Sequence, residues 1–253
     1  MRNQYSVRTH SRYDITFFVP CYNEEDNVIS TFENIISAAI ETELSYEILV
    51  VDDGSQDNTA RVIEDYIQGH QEVPVVFQKN KHNKGLGRSY VEGAYMGKGW
   101  HYMLVNGDNA EPKEAIISII QKLGQADMIV PYFGKKDTRK IGRKMVSYVF
   151  TTLVNLLGGQ SLRYYNGPVA HLRYNVMRWH ADTDGFGYQV EILTRLLMQG
   201  ASCIEVEVPN IDRGHGVTSA FSLLNFLGVA HSFVQIFFRR IRWYLFYSTK
   251  NGK

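Results

Sequence analysis

The chain is 253 residues long, 44% hydrophobic and 21% charged, with a formal net charge of +1. That composition supports one sizeable folded core and excludes a disordered chain, and the sequence contains no internal repeat, low-complexity tract or nucleic-acid module. The even charge balance conceals an asymmetry: residues 1–130 carry 11 Lys and Arg against 19 Asp and Glu, a net of −8, whereas residues 131–253 carry 16 against 7, a net of +9. An acidic half suits a metal and a nucleotide, and a basic half suits an anionic partner such as a phosphate-bearing acceptor or a lipid headgroup. Cys21 and Cys203 give neither a disulfide framework nor metal-ligand spacing, and read as small buried hydrophobes in a reducing compartment. The first ten residues lack the apolar core of a secretory or transit sequence.

In chain order, Phe17-Phe18-Val19 reads as a buried strand that ends at Pro20-Cys21-Tyr22-Asn23-Glu24, and a helix is expected from Asn27 to Thr42. The β-branched run Ile48 to Val51 is a second buried parallel strand. It stops at two adjacent carboxylates, Asp52 and Asp53, followed by Gly54-Ser55 and a helix from Thr59 to Gly69 that opens on polar capping residues. Ligands of open α/β sheets sit where strands end at their carboxyl edge, so these two strand ends bring Asn, Glu and Asp side chains to one crevice. A third strand, Val73 to Phe77, leads into the glycine-punctuated loop Asn80 to Gly87 and a helix from Arg88 to Lys98. The fourth strand starts at His101 and exits through Asn106-Gly107-Asp108, before a helix from Pro112 to Leu123 and a strand from Asp127 to Val130.

The second half opens on Lys135 to Lys144, with six cations and one anion in ten residues. A helix is expected to begin near Gly185 and to carry Glu191, followed by a strand from Cys203 to Val208 and the loop Pro209 to Ser219. In the segment Phe221 to Tyr244 the polar positions Asn225, Gly228, Ser232, Gln235, Arg239 and Arg242 recur every three or four residues, forming a narrow stripe on an otherwise apolar helix. Polar residues interrupt the run, which argues against a membrane span. The basic and aromatic end, Arg239 to Tyr244, looks interfacial instead. Phe226, Phe233 and Phe237 are expected at the acyl boundary, with packing on the protein's own core or on a dimer partner as the alternative.

The pair P-x-Y-N-E at Pro20 to Glu24 and V-V-D-D-G-S-x-D-x-T at Val50 to Thr59 resembles the signature of the family 2 glycosyltransferases. The resemblance implies a Rossmann-like α/β fold of the GT-A type with a mostly parallel central sheet. The resemblance covers residues 15 to about 219, and the chain is expected to divide into a tail (1–13), a glycosyltransferase domain (14–220), an amphipathic helix expected at the membrane (221–247) and a tail (248–253). Carried over residue by residue, it implies that Pro20, Tyr22, Asn23, Glu24, Asp52, Asp53, Gly85, Gly87 and Asn106 bind a nucleoside-diphosphate sugar of the UDP or GDP type. It further implies that Asp108, with Asn106 as a weak ligand, holds Mg²⁺ or Mn²⁺. The family pattern at that point is Asp-x-Asp, and here the first carboxylate is replaced by Asn106.

Arg143 followed by Ser147 is similar to the R-x-x-x-S that the polyprenyl-phosphate branch of the family, the dolichyl-phosphate-mannose-synthase type, places at the acceptor phosphate. Where that branch reads Asp-x-x-Ser-Gly-Phe-Arg, this chain has Arg163 to Val169. Arg213, Gly216 and Thr218 are similar to the family's R-x-x-G-x-S-K, with Ser219 in place of the lysine, so that Arg213 and His215 are left to stabilise the leaving diphosphate.

The expected activity is inverting, metal-assisted transfer to a dolichyl or undecaprenyl phosphate by a protein held peripherally at the cytoplasmic membrane face, with homo-oligomerisation left open. A phosphate acceptor, with a second pKa near ~6, needs no general base. Transfer to a soluble glycan hydroxyl would require one, and Asp182, Asp184 and Glu191 are the candidates. A non-catalytic nucleotide-sugar binder is the other alternative. A nucleotidyltransferase would show a glycine-rich, Arg- and Lys-bearing loop after the first strand, and Pro20 to Glu24 is not that loop.

Overall fold

The β-branched and aromatic runs form strands, and the segments with helical apolar spacing pack on both sides of them. The computed structural model describes residues 12–134, 137–178, 187–209 and 223–246. Strands β1 (Tyr13–Cys21), β2 (Tyr46–Asp52), β3 (Val75–Lys79) and β4 (Gly99–Leu104) alternate with helices α1 (Val28–Glu41), α2 (Thr59–Gly69) and α3 (Leu86–Met96). Then come α4 (Lys113–Ile120), β5 (Met128–Phe133), α5 (Ile141–Gly158), β6 (Ala170–Leu172), α6 (Arg173–Met177), α7 (Tyr188–Met198), β7 (Cys203–Val208) and α8 (Leu223–Phe246).

The seven strands form one sheet in the order β3-β2-β1-β4-β6-β5-β7. β3, β2, β1 and β4 run parallel, β6 is antiparallel to both β4 and β5, and β7 is parallel to β5. Two reversals restore the direction, so the carboxyl ends of β5 and β7 open on the same edge as those of β1, β2 and β4. This is the mostly parallel α/β sheet expected, and it sets the donor motifs and the basic segment on one rim.

Side-chain alternation along β1 divides the core. Ile15, Phe17 and Val19 face Phe32 and Ile35 of α1, Ile63 of α2 and Ile116 of α4. Phe18, with Tyr102 of β4, faces Tyr90 of α3, Val154 of α5, Tyr188 and Leu193 of α7 and Ile236 of α8. All are buried, and each contributes roughly 1.5–3 kcal/mol by leaving water.

Several boundaries differ from expectation for local reasons. β3 starts two residues late, at Val75, because Pro74 has no N–H to give the ladder. α3 starts at Leu86, with Gly85 at its N-cap in a left-handed conformation (φ 87°). The three-residue β6 and the five-residue α6 are too short to leave a periodic signal.

The C-terminal helix forms, from Leu223 to Phe246, and has two faces. Ile236 and Ser232 are buried against α5 and α7, and Phe233 stacks on Phe150 at 5.5 Å, so Phe233 belongs to the core and not to an acyl boundary. Val234, Phe237, Phe238, Ile241 and Leu245 are exposed. No helix among the described residues is long and apolar enough to cross a membrane.

Candidate active site

The β1–α1 and β2–α2 loops are joined by their polar side chains. Asn23 N–H donates to Ser55 Oγ at 2.9 Å, and Asn23 Oδ1 accepts from Gln56 N–H at 2.8 Å. Glu24 N–H donates to Thr59 Oγ1 at 2.8 Å, Glu25 N–H to Asp57 Oδ2 at 3.2 Å, and Asn58 N–H to Glu25 Oε2 at 3.0 Å. Asn23 therefore adopts a left-handed conformation (φ 59°) that its side chain compensates. Burial would raise the Asp57 carboxyl, but bonds from Thr59 and Glu25 outweigh it and hold Asp57 below the ordinary carboxylate value. Much of the double motif thus builds the crevice instead of lining it.

The two adjacent aspartates do different things. Asp52 is fully buried; its Oδ1 accepts from Ser55 N–H at 2.8 Å, while Oδ2 takes no hydrogen bond from the described residues. Asp53 holds the next loop down: Oδ1 accepts from Asn80 Nδ2 at 2.7 Å and Lys84 N–H at 3.0 Å, and Oδ2 accepts from Gly85 N–H at 3.0 Å. The N–H of Gly85, a residue expected at the nucleotide sugar, is thus shared between Asp53 Oδ2 and Asn83 Oδ1. Gly87 is buried in the first turn of α3. Gly54 (φ 84°) allows this approach, since a Cβ there would stand 3.0 Å from the backbone of His82 and Asn83.

β4 delivers the third loop. Gly107 N–H donates to Pro20 O at 3.2 Å, and a Cβ on Gly107 would lie 2.6 Å from Cys21 Sγ, so only glycine lets the β4 exit close on β1. Burial first, and then the carboxylates of Glu24, Asp52, Asp108 and Asp57, push the Cys21 thiol well above its usual pKa. Four carboxylates from three loops surround one thiol, which therefore stays neutral. Tyr22 stands exposed at the rim.

Asn106 has a partner the sequence reading missed. Its backbone N–H donates to Glu111 Oε2 at 3.0 Å and its Nδ2 donates to Glu111 Oε1 at 2.9 Å, so a carboxylate five residues on grips the amide from two sides. With Nδ2 committed, Oδ1 is the atom of the Asn106 side chain left to act as a ligand. Among the described residues no group of three or more His, Cys, Asp or Glu is arranged to hold a metal. The donor set, one carboxylate of Asp108 plus the Asn106 carbonyl oxygen, is hard and incomplete. It fits Mg²⁺ or Mn²⁺ only where substrate phosphates supply further oxygens.

Farther along the same edge, β5 ends in a pocket of about 490 Å³ lined by Phe133, Arg139, Lys144, Ser147, Arg163 and Tyr164 among others. The Arg139 guanidinium lies 4.4 Å from the Phe133 ring centroid and 5.2 Å from that of Tyr164. Its Nε and Nη2 bind Asp137 at 3.0 and 2.8 Å, and its Nη1 donates to Ser147 Oγ and Tyr164 Oη, both at 3.2 Å. Burial would lower its pKa, but Asp137 and Tyr164 outweigh that, and the group stays charged.

The sequence model described as "Glycosyl transferase family 2" matches residues 16–180, from β1 to just past α6. The chain belongs to this family. Among curated relatives, the undecaprenyl-phosphate 4-deoxy-4-formamido-L-arabinose transferase of Proteus mirabilis (strain HI4320) is 22% identical over 219 residues, covering 86% of this chain and 65% of the relative. The dolichyl-phosphate beta-glucosyltransferase of Dictyostelium discoideum is 31% identical over 101 residues, 38% of this chain and 31% of the relative. This chain therefore spans less than two thirds of either relative's length. Among solved structures, the mannosyltransferase PcManGT from Pyrobaculum calidifontis, in complex with GDP-Man and Mn²⁺, superposes with a TM-score of 0.62 at 16% identity over 91% of this chain and 65% of that one. The fold is the GT-A fold of these glycosyltransferases.

Against the family pattern, the crevice gathers Pro20, Asn23, Glu24, Asp52, Asp53, Asn106 and Asp108 at adjoining strand ends. On the acceptor side, Ser147 is bonded to Arg139, whereas Arg143 stands exposed on α5 one turn before Ser147. Arg139 is the cation that sequence reasoning passed over. Glu191, a candidate base for a hydroxyl acceptor, is fully buried on α7 and accepts from Ser232 Oγ of α8 at 2.7 Å, which makes it a pin between two helices. Asp182, Asp184, Arg213, His215, Gly216, Thr218 and Ser219 lie outside the described residues.

Proposed function

We propose that this family 2 glycosyltransferase transfers a sugar from a nucleoside diphosphate to the phosphate of a polyprenyl acceptor at the cytoplasmic membrane face, with inversion at the anomeric carbon. The observation that carries the reading is the Arg139 pocket, a fixed guanidinium with Ser147, Tyr164 and Lys144, opening on the same sheet edge as the carboxylate crevice. The undecaprenyl- and dolichyl-phosphate named in two relatives support it.

In this reading Asp52, Glu24 and the paired β1 and β2 loops shape the nucleotide pocket, and Asp53 holds the loop that closes it. A divalent cation, Mg²⁺ or Mn²⁺, would be held by Asp108 and the Asn106 carbonyl oxygen, and would neutralise charge on the diphosphate. Arg139 and Ser147 orient the acceptor phosphate, which is already a dianion in part at neutral pH and needs no proton removed. The burial of Glu191 agrees with a reaction without a base from α7. The exposed apolar residues of α5, including Ile141, Met145, Tyr148 and Val149, and those of the C-terminal half of α8 would supply surfaces for the acyl chain and the bilayer boundary.

The test is transfer of labelled sugar from a panel of UDP- and GDP-sugars, with Mn²⁺ or Mg²⁺, to undecaprenyl or dolichyl phosphate, with product followed into the lipid phase. Transfer to a soluble glycan but not to either lipid would replace the proposed acceptor. Nucleotide-sugar binding without turnover on any acceptor would leave a non-catalytic binder.

A further inference from the structure

β4 exits into a turn whose shape is set by α1. Asn109 adopts a left-handed conformation (φ 56°), which Asn tolerates better than most residues. Its N–H donates to Thr31 Oγ1 at 3.0 Å, and its Oδ1 accepts from Asn34 Nδ2 at 2.8 Å. The buried Thr31 hydroxyl shares its proton between Asn27 O and Asn106 O, at 3.4 and 3.3 Å. Two side chains of α1 therefore pin the segment from Asn106 to Pro112, the N-cap of α4, and the reversal at Asn109 brings Glu111 back to Asn106.

Glu111 closes this turn on a single residue. Its Oε2 accepts from the Asn106 N–H at 3.0 Å and its Oε1 from Asn106 Nδ2 at 2.9 Å, two bonds strengthened by the charge of the acceptor. An ionised carboxylate accepts and cannot donate, so it meets the amide only through its NH₂ and leaves the amide oxygen turned away. Oδ1 of Asn106, a half-buried residue, takes no hydrogen bond from the described residues. A carboxylate on the NH₂ also polarises the amide and places more negative charge on Oδ1, which makes it a stronger donor to a hard cation. The other side of Glu111 is toward α7: burial, and then the charge of Glu111, raise the phenol pKa of Tyr188, the first residue of that helix. Asp at position 106 could not form this couple, because its side chain has no N–H to give.

We propose that Glu111 is a positioning residue for the donor-site cation. It sets the Asn106 amide with its oxygen outward and raises the donor strength of that oxygen, so an amide serves where the family pattern has a carboxylate. The inference rests on the metal-assisted reading given above, and assigns within it the residue that makes Asn106 a ligand.

The experiment measures the dissociation constant of Mn²⁺ from the free-ion electron paramagnetic resonance signal, for the full chain with UDP or GDP present and the nucleotide's own binding subtracted. It compares the wild type with Asn106→Ala, Glu111→Ala and Asn106→Ala/Glu111→Ala, and urea unfolding in EDTA separates folding from binding. Loss of the partner that orients a metal ligand weakens the metal roughly 10- to 100-fold, so Glu111→Ala should weaken Mn²⁺ by about 10-fold or more while Asn106 is present. Removal of a negative charge weakens a cation in either background, so the pair is read from the difference: with Ala at 106, the same Glu111→Ala step should cost much less. Glu111→Gln keeps the size of the side chain and repeats the cycle with little risk to folding, with the same ordering expected. Asn106→Asp/Glu111→Gln carries its own anionic ligand and has no amide to orient at 106, so it should bind Mn²⁺ at least as tightly as the wild type.

Equal losses on removing Glu111 with Asn106 present and absent would mean that Glu111 acts by charge or by its own contact, and would overturn the positioning role while leaving the metal reading intact. Wild-type Mn²⁺ affinity in Glu111→Ala and Glu111→Gln would do the same. Absence of Mn²⁺ binding by the wild type with either nucleotide, or an Asn106→Asp/Glu111→Gln protein that binds no tighter than Glu111→Gln, would remove the cation from residue 106 and overturn both.

Discussion

Replacing Asn106 by Asp restores the family's Asp-x-Asp and, in an isolated motif, should only add a metal ligand. The structure gives a different result. The Asn106 amide donates to Glu111 at 2.9 Å, so Asn106→Asp removes a hydrogen bond to a charged acceptor and sets two carboxylates against each other. The lost bond is worth about 1.5–3 kcal/mol. Two unit charges ~3–4 Å apart at an effective dielectric of ~20 repel by about 4–5 kcal/mol, a cost that proton uptake or rotation of the partly exposed side chains reduces. A net destabilisation of about 2–4 kcal/mol is expected in chelator, a fall in Tm on the order of 10 °C for a domain of this size. A divalent cation placed between the carboxylates offsets the repulsion, so Mn²⁺ should raise the Tm of the variant more than that of the wild type. The assay is thermal unfolding with EDTA and across a Mn²⁺ titration, repeated for Glu111→Gln and for Asn106→Asp/Glu111→Gln, where the repulsion is removed. An Asn106→Asp protein that matches the wild type in EDTA, or a double variant less stable than the single one, would refute the Glu111 grip.

Three further outcomes are expected. Asp53→Ala leaves the Lys84 N–H without its acceptor and the Gly85 N–H with Asn83 Oδ1 alone, which should cost about 1–3 kcal/mol in urea unfolding and speed proteolysis at Lys81 and Lys84, whereas Asp53→Asn should cost less; wild-type stability with nucleotide binding lost would instead make Asp53 a ligand contact. Arg139→Ala should lower kcat/KM for a polyprenyl phosphate roughly 10- to 150-fold with donor affinity unchanged, and more than Arg143→Ala does, since it is Arg139 that holds Ser147; the reverse ranking would return the acceptor phosphate to Arg143. Burial holds His171 neutral, with its pKa pushed down to about 3, so the unfolded chain binds a proton that the folded one refuses, and stability falls as pH drops from about 6.5 toward 3. His171→Leu should therefore lose about 2 kcal/mol less than the wild type between pH 7 and pH 5, measured as the change in urea unfolding free energy, and identical pH profiles would contradict the burial.

The parallel part of the fold was legible because its strands are buried on both faces and read as continuous apolar runs, each ending in residues unsuited to a strand. Ile48 to Val51 could be neither a surface strand nor a helix, and Asp52-Asp53-Gly54 had to follow it as a turn. Where the signal is short or tertiary, the reading faltered. Nothing local marks Ala170–Leu172 as a strand; it is one because it fills the gap between β4 and β5. α8 was legible as amphipathic, but a single helix cannot reveal which apolar side faces its neighbours, and Phe233 went inward while Phe237 stayed exposed.

The donor and acceptor motifs were found by spacing, and spacing does not distinguish a residue that touches substrate from one that holds a loop which does. Asp52 and Asp53 are adjacent in sequence and identical in type, yet Asp53 spends its oxygens on Asn80, Lys84 and Gly85 while Asp52 Oδ2 takes no hydrogen bond from the described residues. The same ambiguity bears on the proposed acceptor cation. Arg143 and Ser147 are one helical turn apart and would share a face, but helix α5 begins only at Ile141, and the turn ahead of it folds Arg139 back between Phe133 and Tyr164. A guanidinium stacked on two rings and paired with Asp137 gives up far less conformational entropy on meeting a phosphate than one on an exposed helix surface. Order of that kind is what a phosphate site requires, and it is carried by contacts across 25 residues, from Arg139 to Tyr164, that no local motif contains.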